Sequence, residues 1–359
     1  MRVTFVLPHA SLNGGVRVCA IYADHLQRRG HDVCVVSRPW PDFSLRTKIR
    51  HALSGKPIRR PRTQQSHFDN VNVEKRVIDR YRPIEARDVP EADIVLATWW
   101  ETAEWVNNFP ASKGEKIHLI QHDERQFPGQ DEKRVDATWK LPDFHRVVVA
   151  QWLVELAHKR YGCKDVQLIN NGVDVDFFDA PPRKKQSGFT VGTMYSSLPF
   201  KGCDIAFKAI EQVRQRGRNV RVVAFGSEHI HESVTPTPGT QLEFRPTQER
   251  IREIYSSCDA WLFASRSEGF GLPILESMAC RTPVIGTPAG AAPELINEGG
   301  GLLVEGENPD AMAKAIEQIA EMSEADWQRL SLSAYQTSRR HSWAASSQAF
   351  EQLLLKVAR

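Results

Sequence analysis

Two glutamates in the C-terminal half of the chain have a spacing that could serve chemistry. Glu268 and Glu276 stand eight residues apart, with two glycines and a proline between them. Proline is well tolerated at the first position of a helix, so a helix is expected to begin near Leu272 or Pro273. Glu268 would then lie in the preceding loop, and Glu276 would lie in the first turns of the helix.

A glycine loop that leads into a helix N-terminus favours a phosphate or diphosphate. Its backbone N–H groups lack partners, and the positive end of the helix dipole lies beside them. Ionised carboxylates repel phosphate but accept hydrogen bonds, so the two glutamates are expected to hold neutral hydroxyls, those of a ribose and a sugar. Together these groups describe a site for a nucleotide-sugar. Two solvated glutamates on an ordinary loop and helix are the competing interpretation.

The whole segment resembles the E-x7-E motif of glycosyltransferase family 4, whose members are retaining enzymes of the GT-B fold. The likeness covers the run Glu268 to Pro273, the helix of small residues after it and the strand-like Pro283-Val284-Ile285. The resemblance implies an α/β protein in which two Rossmann-like domains with doubly wound parallel sheets face each other across a cleft.

The resemblance also implies roles for single residues. It implies that Glu276 binds the ribose hydroxyls and that Glu268, as a catalytic residue, contacts the donor sugar. His122 directly follows the strand-like Lys116 to Gln121, and it resembles a family histidine that lies close to the donor sugar; a capping or surface histidine is the alternative. Further residues expected at the donor are Phe270, Gly271 and Leu272.

Composition agrees with an ordinary enzyme of two domains. The 359 residues are too many for one typical core. With 47 Lys and Arg against 44 Asp and Glu, the net charge of +3 argues against nucleic acid as the main partner. The six cysteines are scattered without a C-x-x-C pair, so neither a zinc site nor a disulfide framework is expected. We expect a reduced, cytoplasmic protein. No apolar run suits a signal peptide or a membrane span.

The N-terminus predicts a strand, a polar glycine loop and a helix. The strand covers Val3 to Leu7, the loop is Asn13-Gly14-Gly15, and the helix runs from Val16 to Arg29. The loop lacks the G-x-G-x-x-G spacing of NAD or FAD enzymes. The resemblance implies that the backbone of Gly14 and Gly15 faces the donor diphosphate; a plain tight turn is the alternative.

Alternating apolar runs and helical patterns predict a parallel, doubly wound sheet in each domain. The N-terminal acceptor-side domain is expected over residues 1–180, the nucleotide-sugar-binding domain over 181–342, and a C-terminal helix over 343–359 that packs back on the first domain. The predicted strands are Val3 to Leu7, Asp32 to Ser37, Asp93 to Thr98, Lys116 to Gln121, Arg146 to Ala150, Phe189 to Met194, Val220 to Phe225, Ala260 to Phe263 and Pro283 to Ile285. Helices are predicted from Lys201, Gln248, Leu272 and Pro309.

A lysine in the second domain suggests a diphosphate contact. Lys201-Gly202 lies between a strand and a helix and resembles the Lys-Gly of the family, in which the cation binds the diphosphate. The family arginine near the end of the preceding strand is missing, because Gly192 is followed by threonine. Arg245 or Arg266 could supply the second positive charge.

Three tryptophans follow the predicted strand that ends at Thr98. Trp99, Trp100 and Trp105 would lie where α/β sheets open their binding crevice. Stacking on an acceptor sugar is one interpretation, and packing in the core is the commoner one.

A metal site is not expected. Asp174-Val175-Asp176 resembles the D-x-D clamp of GT-A transferases, but the preceding Asn-Gly is typical of a turn, and the segment resembles the connection that closes the first domain in family 4. We therefore expect no cofactor and a metal-independent reaction.

A basic tract over residues 43–68 predicts contact with an anionic membrane surface. Leu45, Ile49 and Leu53 form one apolar stripe at helical spacing, and no acidic residue occurs from Phe43 to Phe68. A solvated loop, or a tract for an anionic polysaccharide or nucleic acid, are the alternatives. The basic residues are Arg46, Lys48, Arg50, Lys56, Arg59, Arg60 and Arg62.

The resemblance therefore implies a retaining glycosyltransferase that moves a sugar from a nucleoside diphosphate-sugar to a glycan or lipid-linked acceptor, and we expect a role in cell-surface polysaccharide or glycolipid biosynthesis. Lys201 and the helix start near Gly271 would stabilise the leaving diphosphate, which is electrostatic catalysis, and His122 would act near the sugar. A nucleotide-sugar epimerase or hydrolase, and a non-catalytic protein that binds an anionic polymer, are the alternatives.

Overall fold

The chain divides into two compact units. The computed structural model describes residues 1–41 and 65–358. The N-terminal unit comprises the described residues of 1–148, 153–169 and those from 347 onward, and the C-terminal unit comprises 149–152 and 170–346. The seven basic residues of the tract predicted over 43–68 lie outside the described residues.

Each unit is built on a parallel β-sheet whose central strands are buried. The described part of the N-terminal unit forms a sheet in the order β3-β2-β1-β4-β5-β6-β7, and the C-terminal unit forms one in the order β10-β9-β8-β11-β12-β13. The strands are β1 (Arg2–Leu7), β2 (Asp32–Ser37), β3 (Glu74–Val77), β4 (Ile94–Ala97), β5 (Glu115–Ile120), β6 (Phe144–Val148), β7 (Val166–Leu168), β8 (Thr190–Tyr195), β9 (Arg221–Gly226), β10 (Thr240–Phe244), β11 (Ala260–Phe263), β12 (Val284–Gly286) and β13 (Gly301–Leu303).

Helices follow most strands and cover the faces of the sheets. In the N-terminal unit, Val6 and Val95 of the sheet belong to one apolar cluster with Val106 of a helix, and in the C-terminal unit Val191 and Ile210 share another. The described helices are α1 (Gly14–Arg28), α2 (Trp100–Asn107), α3 (Glu132–Thr138), α4 (Gln151–Leu156), α5 (Cys203–Gln215), α6 (Gln248–Ser257), α7 (Leu272–Ala279), α8 (Ala292–Asn297), α9 (Pro309–Glu321), α10 (Glu324–Arg340) and α11 (Trp343–Val357). Within the described ranges, no helix has the length and apolarity needed to cross a bilayer.

Helix starts agree with local sequence signals. The predicted starts at Gln248, Leu272 and Pro309 are confirmed. Thr247 and Asn308 cap the first and third of these helices with side-chain hydrogen bonds, and the second has a proline in its first turn. The prediction at Lys201 is wrong by two residues. Residues Pro199–Lys201 form a short 3-10 turn, and α5 begins at Cys203.

The strand order of each sheet determines which loops lie together at its carboxyl edge. In both sheets the chain order reverses between two adjacent central strands, β1 and β4 in the first unit and β8 and β11 in the second. Ligands of doubly wound sheets bind at the carboxyl ends of the strands, at this switch point. The loops after β8 and β11 carry Lys201 and Glu268, so the topology brings the two predicted donor residues to one edge.

Candidate functional site

The loop between β11 and α7 has the geometry predicted from its glycines. Gly271 caps α7 with a φ of 99°, a left-handed conformation that a residue with a side chain adopts with difficulty. A Cβ at this position would also lie 2.9 Å from the ring of Phe263. Glycine therefore permits the turn that presents the first N–H groups of α7 at the carboxyl edge of the sheet.

Lys201 and Glu268 contact each other directly. The Lys201 ammonium lies 2.6 Å from Oε1 of Glu268, and the Ser265 hydroxyl donates to the same oxygen at 2.9 Å. Both charged side chains are largely buried, with exposed fractions of 21% and 13%. Lys201 is thus positioned by a carboxylate of the loop that leads into α7. Ser265 was not among the residues singled out in the sequence, because a serine after a strand has no distinctive spacing.

Backbone contacts hold the Lys201 turn against the loop after β11. The N–H groups of Arg266 and Ser267 both donate to the carbonyl of Phe200, at 2.8 and 3.3 Å. Gly202 has a φ of 62°, and a Cβ there would lie 1.8 Å from the carbonyl oxygen of Ala264. Only glycine permits this approach, which explains why the Lys-Gly pair is needed as a unit.

Glu276 is buried in α7 and has a partner from α6. Its Oε2 accepts a hydrogen bond from the hydroxyl of Tyr255 at 3.0 Å, and Tyr255 itself is fully buried. The hydrogen bond fixes one oxygen of the carboxylate. Tyr255 positions a residue predicted to bind ribose, and the sequence pattern of α6 did not single it out.

The two arginines suggested as the second diphosphate cation have contacts of their own. Arg266 donates to both carboxylate oxygens of Asp204 at 2.8 Å and also pairs with Glu307. Its charge is therefore already offset, and the ion pairs link the loop after β11 to α5. Arg245 is exposed at the end of β10, where its Nε donates to the carbonyl of Ser227 at 2.9 Å. Their predicted roles at the diphosphate remain predictions.

A small cavity lies beside Ser265, whose hydroxyl contacts Glu268. It has a volume of about 110 Å³ and is lined by residues that include Ser265, Arg266 and Thr287.

Phe270, which was predicted to contact the donor, is 4% exposed, so its ring packs inside the unit. Its carbonyl accepts a hydrogen bond from the N–H of Ala291 at 2.8 Å. Any contact of Phe270 with a donor would therefore come from its backbone.

A second carboxylate, Glu228, braces the loop before Lys201. Its oxygens accept from the hydroxyls of Ser196 and Ser197, both at 2.8 Å, and from the Ser197 N–H at 2.6 Å. Burial raises the pKa of Glu228, but these hydrogen bonds outweigh burial, so the pKa is lowered overall. The ionised carboxylate is thus favoured, and it stiffens the segment between β8 and Lys201.

In the N-terminal unit, Gly14 and Gly15 differ from their predicted setting. They form the first turn of α1 and do not precede it, because Asn13 caps the helix by accepting from Val16 N at 2.8 Å. Gln121, at the end of β5, donates to the carbonyl of Gly15 at 3.1 Å. The N-terminal N–H groups of α1 are thus presented at the switch point of this sheet.

His122 lies in a partly buried group of polar and aromatic residues. Its Nδ1 lies 3.1 Å from the carbonyl of Asp123, and its ring centroid is 4.8 Å from that of Phe127. The adjacent Glu124 accepts from Trp100 N at 2.6 Å, at the start of α2. Burial raises the pKa of Glu124 well above its ordinary value, which favours the protonated acid.

The tryptophans after β4 are mostly packing residues. Trp100 is 5% exposed, its Nε1 donates to Gln130 at 2.8 Å, and its ring contacts the Arg134 guanidinium. Trp105 is 8% exposed. Trp99 is partly buried and packs against Phe127, with ring centroids 5.4 Å apart. These contacts support the packing interpretation for Trp100, while Trp99 retains a partly accessible ring.

The Asp174-Val175-Asp176 segment forms a turn. A carboxylate oxygen of Asp174 accepts from Phe177 N at 3.0 Å, and Asp176 lies 3.6 Å from Arg339. Among residues 1–41 and 65–358, no three histidine, cysteine or acidic side chains group as metal ligands would.

Comparison with known proteins places both units in one group of enzymes. A family model described as Glycosyltransferase Family 4 matches residues 12–177, and one described as Glycosyl transferases group 1 matches residues 185–322. A D-inositol 3-phosphate glycosyltransferase of Corynebacterium glutamicum is 31% identical over 207 residues, which are 51% of this chain and 49% of that protein. An uncharacterised glycosyltransferase of Methanocaldococcus jannaschii is 31% identical over 127 residues, 34% of this chain and 35% of that protein. The chain thus spans about half or less of these curated relatives.

Solved structures agree on the fold. HepE of Anabaena, in complex with UDP and glucose, has a TM-score of 0.75 and 17% identity, with coverage of 99% of this chain and 100% of that one. Sucrose-phosphate synthase of Thermosynechococcus elongatus has the same TM-score and identity, with coverage of 99% and 98%. The chain has the GT-B fold, and its resemblance to glycosyltransferase family 4 is confirmed in both units.

Proposed function

We propose that the protein is a retaining glycosyltransferase that transfers a sugar from a nucleoside diphosphate-sugar to a glycan or lipid-linked acceptor. The observation that carries the proposal is the contact of Lys201 with Ser265 and Glu268 in the loop that leads into α7, the helix that also carries Glu276. A cation and a helix start suit a diphosphate, and two carboxylates suit hydroxyl groups.

The chemistry follows from where charge develops. Negative charge grows on the leaving diphosphate as the bond to the sugar breaks, and a preorganised cation with helix N–H groups stabilises that charge. Lys201 is held by Glu268, so it needs little reorganisation when the diphosphate arrives. The carboxylates of Glu268 and Glu276 accept hydrogen bonds from hydroxyls of the donor.

The comparisons support a nucleotide-sugar as donor. HepE has been solved in complex with UDP-glucose, at a TM-score of 0.74 to this chain. Several of the curated relatives, among them the one from Corynebacterium glutamicum, are named D-inositol 3-phosphate glycosyltransferases. By analogy, we propose a uridine or related nucleoside diphosphate-hexose as donor and an alcohol of a glycan or lipid carrier as acceptor, in cell-surface polysaccharide or glycolipid synthesis.

The test compares turnover of several donors with and without an acceptor. UDP-, GDP-, ADP- and dTDP-hexoses are incubated with the protein, alone and with a pool of oligosaccharides and lipid-linked sugars, and release of the nucleoside diphosphate is measured. Release that requires acceptor, with the product linkage keeping the donor's anomeric configuration by NMR, supports the proposal. Equal release without acceptor indicates a hydrolase, and interconversion of the intact donor indicates an epimerase. Absence of donor binding and turnover in every arm contradicts the proposal.

The donor itself can be identified from stability. A nucleoside diphosphate at 100 times its Kd adds about 2.7 kcal/mol to the free energy of unfolding. Thermal unfolding with each of the four nucleoside diphosphates should therefore show one clear shift, and that nucleotide names the donor base.

Replacing Glu276 by alanine is expected to weaken donor binding. Hydrogen bonds from ribose hydroxyls to a charged acceptor contribute roughly 1.5 to 3 kcal/mol each, so the Kd should rise at least about tenfold. Calorimetry with the matching nucleoside diphosphate measures the change. Glu253→Ala, at an exposed position of α6, is the matched control and should bind like the wild type. Unchanged nucleotide affinity in Glu276→Ala would remove the ribose assignment.

Neutralising the basic tract is expected to release the protein from anionic vesicles. The wild type should sediment with vesicles that contain phosphatidylserine but not with phosphatidylcholine alone, and binding should fall as salt rises. Charge-neutral substitutions at Arg46, Lys48, Arg50, Arg59, Arg60 and Arg62 should abolish sedimentation without changing the melting temperature. Equal recovery with both lipids, or none with either, rejects a membrane role for the tract.

A further inference from the structure

A group of stacked side chains lies at the carboxyl edge of the N-terminal sheet. We call His9, Arg38, Trp40 and Tyr81 the His9 array. His9 follows β1, Arg38 and Trp40 follow β2, and Tyr81 comes four residues after β3. These three strands are neighbours in the sheet, so the array lies along its carboxyl edge, with His9 beside the switch point at β1 and Tyr81 at the edge strand β3.

The rings of the array are nearly parallel. The ring centroid of His9 is 4.6 Å from that of Trp40 and 5.9 Å from that of Tyr81, with interplanar angles of 17° and 10°. The guanidinium of Arg38 lies 4.6 Å from the rings of both Tyr81 and Trp105. The stack therefore extends from a buried tryptophan in α2 to side chains at the surface.

Its outer members are accessible. Trp40 is 45% exposed and Tyr81 is 50% exposed, although a large aromatic ring gains most from burial. The Trp40 indole is held in place by a hydrogen bond to the carbonyl of Ala10 at 3.3 Å. Two ordered aromatic surfaces at a ligand-binding edge suit the flat, C–H-rich face of a ring, and aromatic side chains line most sites for small molecules.

The electrostatics of the array favour an uncharged ligand. Arg38 is 6% exposed and forms an ion pair with Glu101 at 2.9 Å, and its Nε donates to the carbonyl of Pro8 at 3.3 Å. Burial, with a further contribution from Arg38, lowers the pKa of His9 to about 4, so its ring is neutral near pH 7. Arg80, next to Tyr81, lies 3.9 Å from Asp79. In the described part of this edge, Arg38 and Arg80 thus have carboxylate partners within the unit.

We infer that the His9 array forms a subsite in which the Trp40 ring, stacked on His9 and backed through it by Tyr81, stacks on a neutral pyranose ring of the acceptor. The inference rests on the proposed transferase function for its biological setting, and it adds the chemical class of the acceptor. The charge of Arg38 is already offset by Glu101, so Arg38 is not a free cation for a phosphorylated or carboxylated sugar. We therefore expect negatively charged sugar rings to bind less well than neutral ones.

The test measures ring binding without requiring turnover. Saturation-transfer NMR is recorded on the full chain with a panel of neutral methyl hexopyranosides and with methyl glucuronide. The wild type should transfer saturation to ring C–H protons of at least one neutral glycoside. Trp40→Ala and Tyr81→Ala should each lower this signal at least about fivefold, whereas Trp40→Phe and Tyr81→Phe, which retain a ring, should keep most of it. Leu332→Ala, at an exposed position in the C-terminal unit, is the control for surface apolar loss.

The outcomes separate this inference from the proposed function. Once the acceptor is known, Trp40→Ala should raise its KM about tenfold at unchanged kcat and unchanged nucleotide affinity. A protein that binds glycosides through Trp40 and Tyr81 but turns over no donor contradicts the transferase and keeps the subsite. An active transferase whose glycoside signal and acceptor KM are the same in Trp40→Ala and Tyr81→Ala, at wild-type melting temperature, overturns the subsite. A stronger signal for the glucuronide than for every neutral glycoside overturns the neutral class.

Discussion

Replacing Lys201 by alanine is expected to lower turnover by a factor of roughly 100 to 1,000 while the fold stays intact. Removing one preorganised group that stabilises developing negative charge costs about 2.7 to 4 kcal/mol of transition-state stabilisation. The Lys201 side chain keeps 21% of its surface exposed, so alanine opens a space that solvent can reach and not a closed cavity. Steady-state kinetics under saturating donor and acceptor measure the effect, and circular dichroism checks the fold.

The contact with Glu268 allows the cause of that loss to be separated. In Lys201→Ala the Glu268 carboxylate loses its 2.6 Å partner, and its uncovered charge would repel a diphosphate. The double variant Lys201→Ala with Glu268→Gln removes this repulsion. The reference is Glu268→Gln alone, because Glu268 is itself expected to contact the donor. If Lys201 stabilises the leaving group, the double variant is slower than Glu268→Gln; if the two turn over equally fast, Lys201 serves only to cover Glu268. Lys314→Ala, which removes an exposed lysine of α9, is the matched control.

Lys201→Arg tests geometry as well as charge. A guanidinium is planar and longer than an ammonium, so it does not reproduce a point charge 2.6 Å from Glu268. We expect only partial recovery relative to Lys201→Ala. Near wild-type turnover in Lys201→Ala itself would show that the diphosphate binds elsewhere.

The second large effect is a loss of stability in acid that originates at His118. This residue lies in β5, is 2% exposed, and neither ring nitrogen has a hydrogen-bond partner among the described residues. Burial, with a smaller contribution from Arg146, lowers its pKa from 6.5 to about 3. Below pH 6.5 the unfolded chain binds a proton at His118 and the folded chain does not. The free energy of unfolding should therefore fall by about 1.4 kcal/mol per pH unit from this residue, as the pH drops from 6.5 towards 3.

Chemical denaturation of the wild type and of His118→Leu at pH 7, 6, 5 and 4.5 measures this contribution. Leucine has a similar size and no titratable group, so the variant should lose less stability on acidification, with a difference of about 3 kcal/mol by pH 4.5. At pH 7 the variant should be at least as stable as the wild type, because two unpartnered polar atoms are removed from the interior. His145→Leu, at a half-exposed position on the neighbouring strand β6, is the control. Parallel pH profiles for the wild type and His118→Leu would contradict the assignment.

Strands divide by their place in the sheet into those that the sequence predicts and those that it does not. The central strands, such as β1 and β8, are continuous apolar runs because both faces are buried, and the sequence predicts them within one or two residues. The strands β3, β7, β10 and β13 were not predicted, and all four are sheet edges. β3 (Glu74–Val77) is exposed at every position. Edge strands pair on one side only and bury little, so their sequences carry no apolar signal.

The candidate site shows the same division between local and long-range information. By itself the sequence determined the glycine turn and the helix that carries Glu276. The signals are local, because a glycine, a proline at the helix start and an apolar run before them follow one another along the chain. It also determined the resemblance to glycosyltransferase family 4, because the motif is contiguous along the chain.

Only the tertiary structure decided which side chains meet. Lys201 and Glu268 are 67 residues apart, and Tyr255 reaches Glu276 from another helix. The same holds for Arg266, whose two carboxylate partners come from α5 and from the loop before α9. The His9 array likewise joins residues that follow three different strands. Such contacts depend on strand order and on the direction of each side chain at the sheet edge. The spacing of residues along the chain determines neither property.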